Sequence, residues 1–254
     1  MKTVIAAVIF LLSAAGPALS WGPTGHRVVG AVAEQYLTRK ARARLAQVLD
    51  GQSIAMAATW MDEVRSDSAY FHMADWHWVT IPDGMSYAET EKNPSGDIIS
   101  TLNRVIDELR GGSLTPSEER ERVFILIHLV GDLHMPLHVG NGNDRGGNDV
   151  RVSWFRKSTN LHTVWDASMI DETRLSYTEF AASLKRPTQQ QIKEWQQSGI
   201  LVWAEESKAY RDEVYKIGDG QLSYRYAYEH MPMVRQRLLQ AGIRLAGILN
   251  SIYG

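Results

Sequence analysis

Thr115-Pro-Ser-Glu-Glu-Arg-Glu-Arg-Val-Phe-Ile-Leu-Ile-His-Leu-Val-Gly-Asp-Leu-His-Met-Pro-Leu-His138 is the stretch of sequence on which the fold turns. It reads as a helix start. The Thr115 hydroxyl can cap free amides, Pro116 lacks the N–H that would go unpaired in the first turn, and Glu118 completes a capping box. Beyond Phe124 the side chains are apolar nearly all round, and a helix without a polar face belongs in the middle of a core. Pro136 should close or kink it.

Working outward, Ile98, Ile99, Leu102, Val105, Ile106 and Leu109 make one apolar face of a helix expected from about Ser95 to Leu109, ended by Gly111-Gly112. Earlier, Val28, Val29, Val32 and Leu37, then Ala41, Leu45, Val48 and Leu49, keep helical spacing, and a further helix is expected near Ile54 to Ser66. On the other side, Gly140 to Asn148 reads as a Gly/Asn/Asp loop, and Val150 to Phe155 as the one expected strand. The rest, Tyr177 to Leu184, Thr188 to Gln197, Leu201 to Tyr215 and Met233 to Ile252, reads as helix. With no repeat, low-complexity tract or linker, the expectation is an all-α, single compact helical domain.

Lys2, the apolar run Val4 to Leu12 and the small-residue stretch ending Ala18-Leu19-Ser20 make residues 1–20 a secretory signal peptide, with cleavage expected before Trp21. The run is shorter than the roughly 20 residues of a spanning helix, and Gly16-Pro17 breaks it. The mature domain is therefore 21–254, secreted or periplasmic, with no membrane anchor after cleavage. It has no cysteine, so packing, metal or both, rather than disulfides, must hold it together. A net charge of −2 excludes a broadly basic surface as the means of binding nucleic acid, so a polyanionic substrate would need locally held cations.

The chain has 8 histidines. On the apolar helix His128 and Asp132 stand four apart, which puts both on one face, a natural start to a zinc site. An ionised Asp132 in such a helix needs a cation or several donors to offset its desolvation. His162 and Asp166 repeat the spacing, and His138, His77, Asp62 and His26 are further candidates. His72, His134 and His230 are left outside the site, with His134 given a structural or supporting role.

Six fragments now stand in order: Trp21-Gly-Pro-Thr-Gly-His26, Thr59-Trp-Met-Asp-Glu-Val-Arg65, Trp76-His-Trp-Val79, His128 to His138, Asp144-Arg-Gly-Gly-Asn148 and Asn160-Leu-His-Thr-Val-Trp-Asp166. With them the sequence resembles the zinc-dependent S1/P1 nuclease family of fungal single-strand nucleases and plant bifunctional nucleases, whose helical fold is shared with zinc-dependent phospholipase C. The resemblance implies three Zn2+ per chain. One would sit on Asp62, His77, His128 and Asp132; a close neighbour on His26, Asp132 and the amine and carbonyl of a newly terminal Trp21; and the third on His138, His162 and Asp166. It also implies in-line attack by an activated water oriented by Asp62 or Asp132, with Arg65 facing the phosphoryl oxygens and 5′-phosphate products. Trp78 and Asn148 would touch substrate.

The substrates implied are single-stranded DNA and RNA, with 3′-nucleotidase action on nucleotides, and no protein partner is expected. Lacking cysteine and a usable Asn-x-Ser/Thr site, since Asn93 precedes Pro94, the chain looks like a bacterial version. Two rivals remain. A zinc-dependent phospholipase C has a longer first spacing and a Glu where this chain has Asp166. A non-catalytic zinc protein would close each site with four ligands, whereas the third site here has three.

Overall fold

The Thr115 cap forms as its sequence requires: the backbone N–H and hydroxyl of Thr115 both donate to Glu118 Oε2 (2.8 and 2.7 Å), and the Glu118 N–H returns to the hydroxyl. In this computed structural model, which describes residues 21–254, the helix runs Pro116–Leu133 and every residue from Val123 to Leu133 is buried. It ends before Pro136, which opens a short 3-10 turn, Pro136–His138. The expected leader, 1–20, lies outside the described residues.

Three helices pack around this central one: Pro23–Gln35, Ile98–Gly111 and Tyr224–Tyr253. The second starts at an Asp97 capping box and ends on Gly112 in the left-handed conformation (φ 66°), where glycine carries no steric penalty. The apolar faces meet in one core that takes in Trp21, Val28, Ile98, Leu126 and Leu245. The chain is a single, mainly helical domain, as its periodicity indicates. Among the described residues no helix is long and apolar enough to cross a membrane.

Several boundaries differ from the sequence reading, for local reasons. The expected Ile54–Ser66 helix is broken into Ile54–Ala57, Trp60–Glu63 and a 3-10 turn, Val64–Ser66. Across that break Asp62 lies near His128 (4.0 Å) and Arg65 lies on the wall of the cavity described below. The last helix starts at Tyr224 rather than near Met233 and carries Pro232 inside it. A proline reads as a boundary because it lacks a donor and crowds the preceding turn, yet on this exposed side of the helix the lost bond faces water. The Leu201–Tyr215 segment likewise divides at Tyr210.

The single expected strand is Arg151–Trp154 (β3), but it has company. Among the described residues there are also β1 (Val79–Thr80), β2 (Val139–Gly140), β4 (Lys157–Asn160) and β5 (Gln221–Leu222). β3 pairs antiparallel with β4 and parallel with β5. Its hairpin turns on Phe155 and Arg156, both at positive φ (47° and 67°), a conformation usually signalled by Asn-Gly and carried here without glycine. β1 and β2 pair in parallel, Val79 with Val139 and Thr80 with Gly140. Strands of two residues have no alternation to read, but this one decides the site. It ties the chain just after His77 to the chain just after His138.

Candidate metal centre

The central helix presents His128 and Asp132 one turn apart, both fully buried. Around Asp132 three imidazoles gather. His77 Nδ1 lies 2.9 Å from Asp132 Oδ2, His128 Nε2 3.3 Å from the same oxygen, and His26 Nε2 3.2 Å from Oδ1. The His26 and His128 rings stack at 3.9 Å, and Asp62 Oδ1 stands 4.0 Å from His128 Nε2. Gly131 permits this approach, because a Cβ there would sit 2.9 Å from His26 Nδ1.

A second group lies beyond the 3-10 turn. His162 Nε2 is 2.8 Å and His138 Nε2 3.6 Å from the two oxygens of Asp166. His162 is in the short helix Leu161–Thr163, and Asp166 in the π-helical turn Val164–Ser168 that follows it. Such π turns are rare and often found at functional sites.

Backbone carbonyls aim the rings. His128 Nδ1 donates to Ala58 O (2.8 Å), His138 Nδ1 to His77 O (2.6 Å) and His162 Nδ1 to Gly146 O (2.7 Å), which leaves Nε2 of each ring facing the groups of ligand atoms. That is the outer arrangement metal-binding histidines require. Gly146 cannot be replaced here: its φ is 62°, and a Cβ would meet Leu137 O at 2.3 Å.

Do these residues fit a metal? Three sets of side chains bring their ligand atoms within 4.8 Å of one another: His26, Asp62 and His128; His77, His128 and Asp132; and His138, His162 and Asp166. Asp132 Oδ1, His138 Nε2 and both oxygens of Asp166 are buried without a hydrogen bond of acceptable geometry, despite the short separations above. Buried polar atoms are seldom left so, and cations held in the two groups would satisfy them, one at Asp132 and another between His138 and Asp166. Imidazole and carboxylate donors without thiolates suit zinc and similar divalent ions.

The protonation states agree. Burial opposes the Asp132 charge, but His128 and His138 outweigh it and hold the carboxyl well below the usual range. Asp62 is also lowered, by His128 and His26 against its burial. Burial, then the neighbouring His128 charge, lowers His26; burial likewise lowers His77. Burial opposes but does not prevent a rise at His138 to about 9, driven by Asp132 and Asp166. Two ionised carboxylates therefore lie beside His26 and His77, which burial keeps neutral, while neighbouring carboxylates, against burial, raise His128 and His138: the cluster attracts positive charge.

The eight side chains expected from the sequence as ligands thus lie together in these groups. Five of them, His26, Asp62, His77, His128 and Asp132, form a continuous cluster around Asp132 and His128, so distance alone does not assign His26 to one ion or another. Trp21 is fully buried, with the Gly22 N–H on Asp166 O (2.7 Å) and its indole edge near Gly131. His134 is outside these groups: its ring donates to Val130 O and accepts from Arg244.

A cavity of about 380 Å³ opens over the metal-capable groups, lined among others by Arg65, His77, Trp78, His138, Asn148 and His162. Arg65 Nη1 lies 3.2 Å from Asp62 Oδ1. Trp78 is 39% exposed, enough to offer a ring face to the cavity. Asn148 Nδ2 donates to Arg145 O (2.9 Å). Sequence reasoning missed Arg145, which also lines the cavity, though it stands inside the Asp144–Asn148 fragment. It also missed the three carbonyl anchors, for which no side-chain signal exists.

Comparison with known proteins finds nucleases among the chain's relatives. The chain is 28% identical to Endonuclease 2 of Arabidopsis thaliana over 277 residues, covering 97% of this chain and 95% of that protein. It is 26% identical to Nuclease S1 of Aspergillus oryzae, with 91% of each covered, and 30% identical to Nuclease P1 of Penicillium citrinum over 158 residues, 59% of this chain and 58% of that one. Residues 21–254 match the S1/P1 Nuclease family. The chain belongs to the S1/P1 nuclease family.

Proposed function

We propose that the chain is an exported endonuclease that holds three Zn2+ and hydrolyses single-stranded DNA and RNA to 5′-phosphate products, with 3′-nucleotidase action on nucleotides. The observation that carries this reading is the convergence of eight His and Asp side chains, with buried and unsatisfied ligand atoms, beneath a cavity walled by a cation and an exposed indole. When bound, zinc supplies Lewis acidity and brings the pKa of a coordinated water towards about 7.

The chain's own groups do the rest. Asp132, between three imidazoles, would hold metal together with Asp62, His77, His128, His26 and Trp21, while His138, His162 and Asp166 would hold a further ion. Trp21 would offer its amine once the preceding peptide bond is cut, which would make export a step in completing the site. The Asp62 carboxylate is held ionised, so it or Asp132 can orient the attacking water as an acceptor, and Arg65 beside Asp62 faces the charge that develops on the phosphoryl oxygens. Trp78 stacks an unpaired base, a contact that tolerates any sequence and that a duplex does not offer. Asn148, which also lines the cavity, contacts the phosphate or base.

The test compares the zinc-loaded chain 21–254 on single-stranded DNA, RNA, a 3′-nucleotide and a choline phospholipid. Nucleic acids are degraded, and Asp132→Ala loses at least about 10³-fold of that rate together with bound zinc. Faster cleavage of the phospholipid would overturn the reading in favour of a phospholipase C. Zinc binding without hydrolysis of any of the four would make the chain a non-catalytic zinc protein.

A further inference from the structure

A second concave surface lies away from the metal groups and shares no lining residue with the cavity above them: a groove of about 440 Å³. Its cations are Lys185, Arg186 and Arg235, and Trp195, Gln191 and Gln236 also line it. No acidic residue lines the groove. Among the described residues none of the three cations forms an ion pair, although many other basic side chains of this net-acidic chain do.

The groove is built rather than accidental. Lys185 and Arg186 stand on the short connection between the helix Tyr177–Ala182 and the Thr188 capping box that opens Gln189–Gln197. Leu184 and Leu239 are buried beneath it. The Arg235 guanidinium is fixed 4.7 Å over the Phe180 ring, with Nη1 donating to Ser183 Oγ at 2.8 Å. A held guanidinium loses little freedom on meeting a phosphate and presents a fork suited to it. Close by, Lys185 and Arg186 also line a smaller hollow of about 190 Å³ between the same connection and the Pro23–Gln35 helix, so the basic surface continues past one pocket.

We propose that this groove is a second nucleic-acid site that holds the phosphodiester backbone of a long single strand away from the point of cleavage. This rests on the nuclease reading for the identity of the strand. Concavity decides between polyanions: three cations around a hollow with an aromatic wall fit a chain of phosphates and bases, whereas an anionic membrane is met by a flat or protruding basic face with apolar side chains at its tip. Long substrates would gain affinity from a second point of attachment. A dinucleotide, too short to reach it, would gain none.

The experiment uses zinc-loaded chain 21–254 and its Lys185→Glu/Arg186→Glu variant, with Lys185→Gln/Arg186→Gln as the milder pair should charge reversal impair folding. Arg235 is left in place because it packs on Phe180. KM and kcat are measured on thirty-nucleotide oligothymidylate and on a thymidine dinucleotide, and binding of the labelled oligonucleotide is followed by anisotropy against salt. Charge reversal weakens oligonucleotide binding and raises its KM about tenfold, lowers the salt slope by about 1.4 for two contacts on a single strand, and leaves dinucleotide turnover unchanged. The proposal is overturned if oligonucleotide affinity stays within about twofold of the parent, if dinucleotide turnover falls in step, or if only binding to phosphatidylserine vesicles is lost. Should the parent cleave neither substrate, the nuclease reading fails by itself, and the anisotropy comparison still decides whether the groove binds the strand.

Discussion

Asp132 and Glu206 are two carboxylates that border the same turn of chain at the end of the central helix, and they are neutralised in different ways. Glu206 closes on itself. Its oxygens accept from Arg237 Nη1 (2.6 Å) and from Arg244 Nη1 and Nη2 (2.6 and 2.7 Å), and the surplus guanidinium charge is spread over Ser207, Gln240 and the carbonyls of Trp203 and His134. His134, two residues past Asp132, joins this side by accepting from Arg244. Asp132 meets imidazoles instead, and one oxygen stays unsatisfied. Both carboxylates are linked to a histidine, Glu206 through Arg244 and Asp132 directly, yet only Asp132, which takes no guanidinium hydrogen bond, keeps an unfilled acceptor for a metal. The difference teaches that burial of charge alone does not mark a metal site; an unfilled acceptor does.

Chelation should separate the two clusters most sharply. Removing zinc from the chain abolishes hydrolysis and lowers thermal stability by about 4 kcal/mol where free zinc had stood near a thousand times its Kd. Re-addition restores both, while stability unchanged by chelator would break the comparison. Glu206→Gln should then cost about 3–5 kcal/mol in urea unfolding, because two buried guanidinium groups lose their counter-ion, with zinc content unchanged.

That loss depends on pH in a set direction. Burial opposes ionisation of Glu206, but Arg244 and Arg237 prevail and lower its folded pKa below the ordinary 4.5. The carboxylate therefore stabilises fully above the unfolded value, and its contribution disappears as pH falls through the folded one. Parent and variant stabilities accordingly draw together as pH falls from 4.5 through the lower folded value; a gap undiminished by acid would mean that packing, not charge, explains the cost.

Smaller effects fall on the cavity. Arg65→Ala lowers kcat by about 10²–10³-fold without changing zinc content, and a loss confined to KM would assign Arg65 to binding alone. Trp78→Ala weakens binding of single strands by about 1–3 kcal/mol, read as KM, with little change in kcat. An equal loss on a substrate lacking a base would remove stacking from the account.

Much of the fold and of the site is legible in the order of residues. The capping box and all-round apolar run mark the central helix, because both follow from local backbone chemistry and from the absence of any polar face to turn to water. The paired His128/Asp132 and His162/Asp166 spacings mark ligands, because four residues of helix bring two side chains over one turn. Less is legible where the cause lies far along the chain. Nothing near Val139 or Ser158 announces β2 or β4, and Pro232 conceals the continuous last helix.

What the sequence determined by itself is therefore the local grammar: helices, caps, the candidate ligands and the lack of disulfides. Tertiary structure alone decided which distant groups meet. The parallel pairing of Val79 with Val139 sets His77 near His138, the carbonyls of Ala58 and Gly146 choose which imidazole nitrogen faces inward, and Arg237 and Arg244 claim His134 for the neighbouring cluster. The reason is physical: propensity and periodicity act over a few residues, whereas a buried lone pair is satisfied by whatever the whole fold brings within about 3 Å, and chain order does not encode that directly.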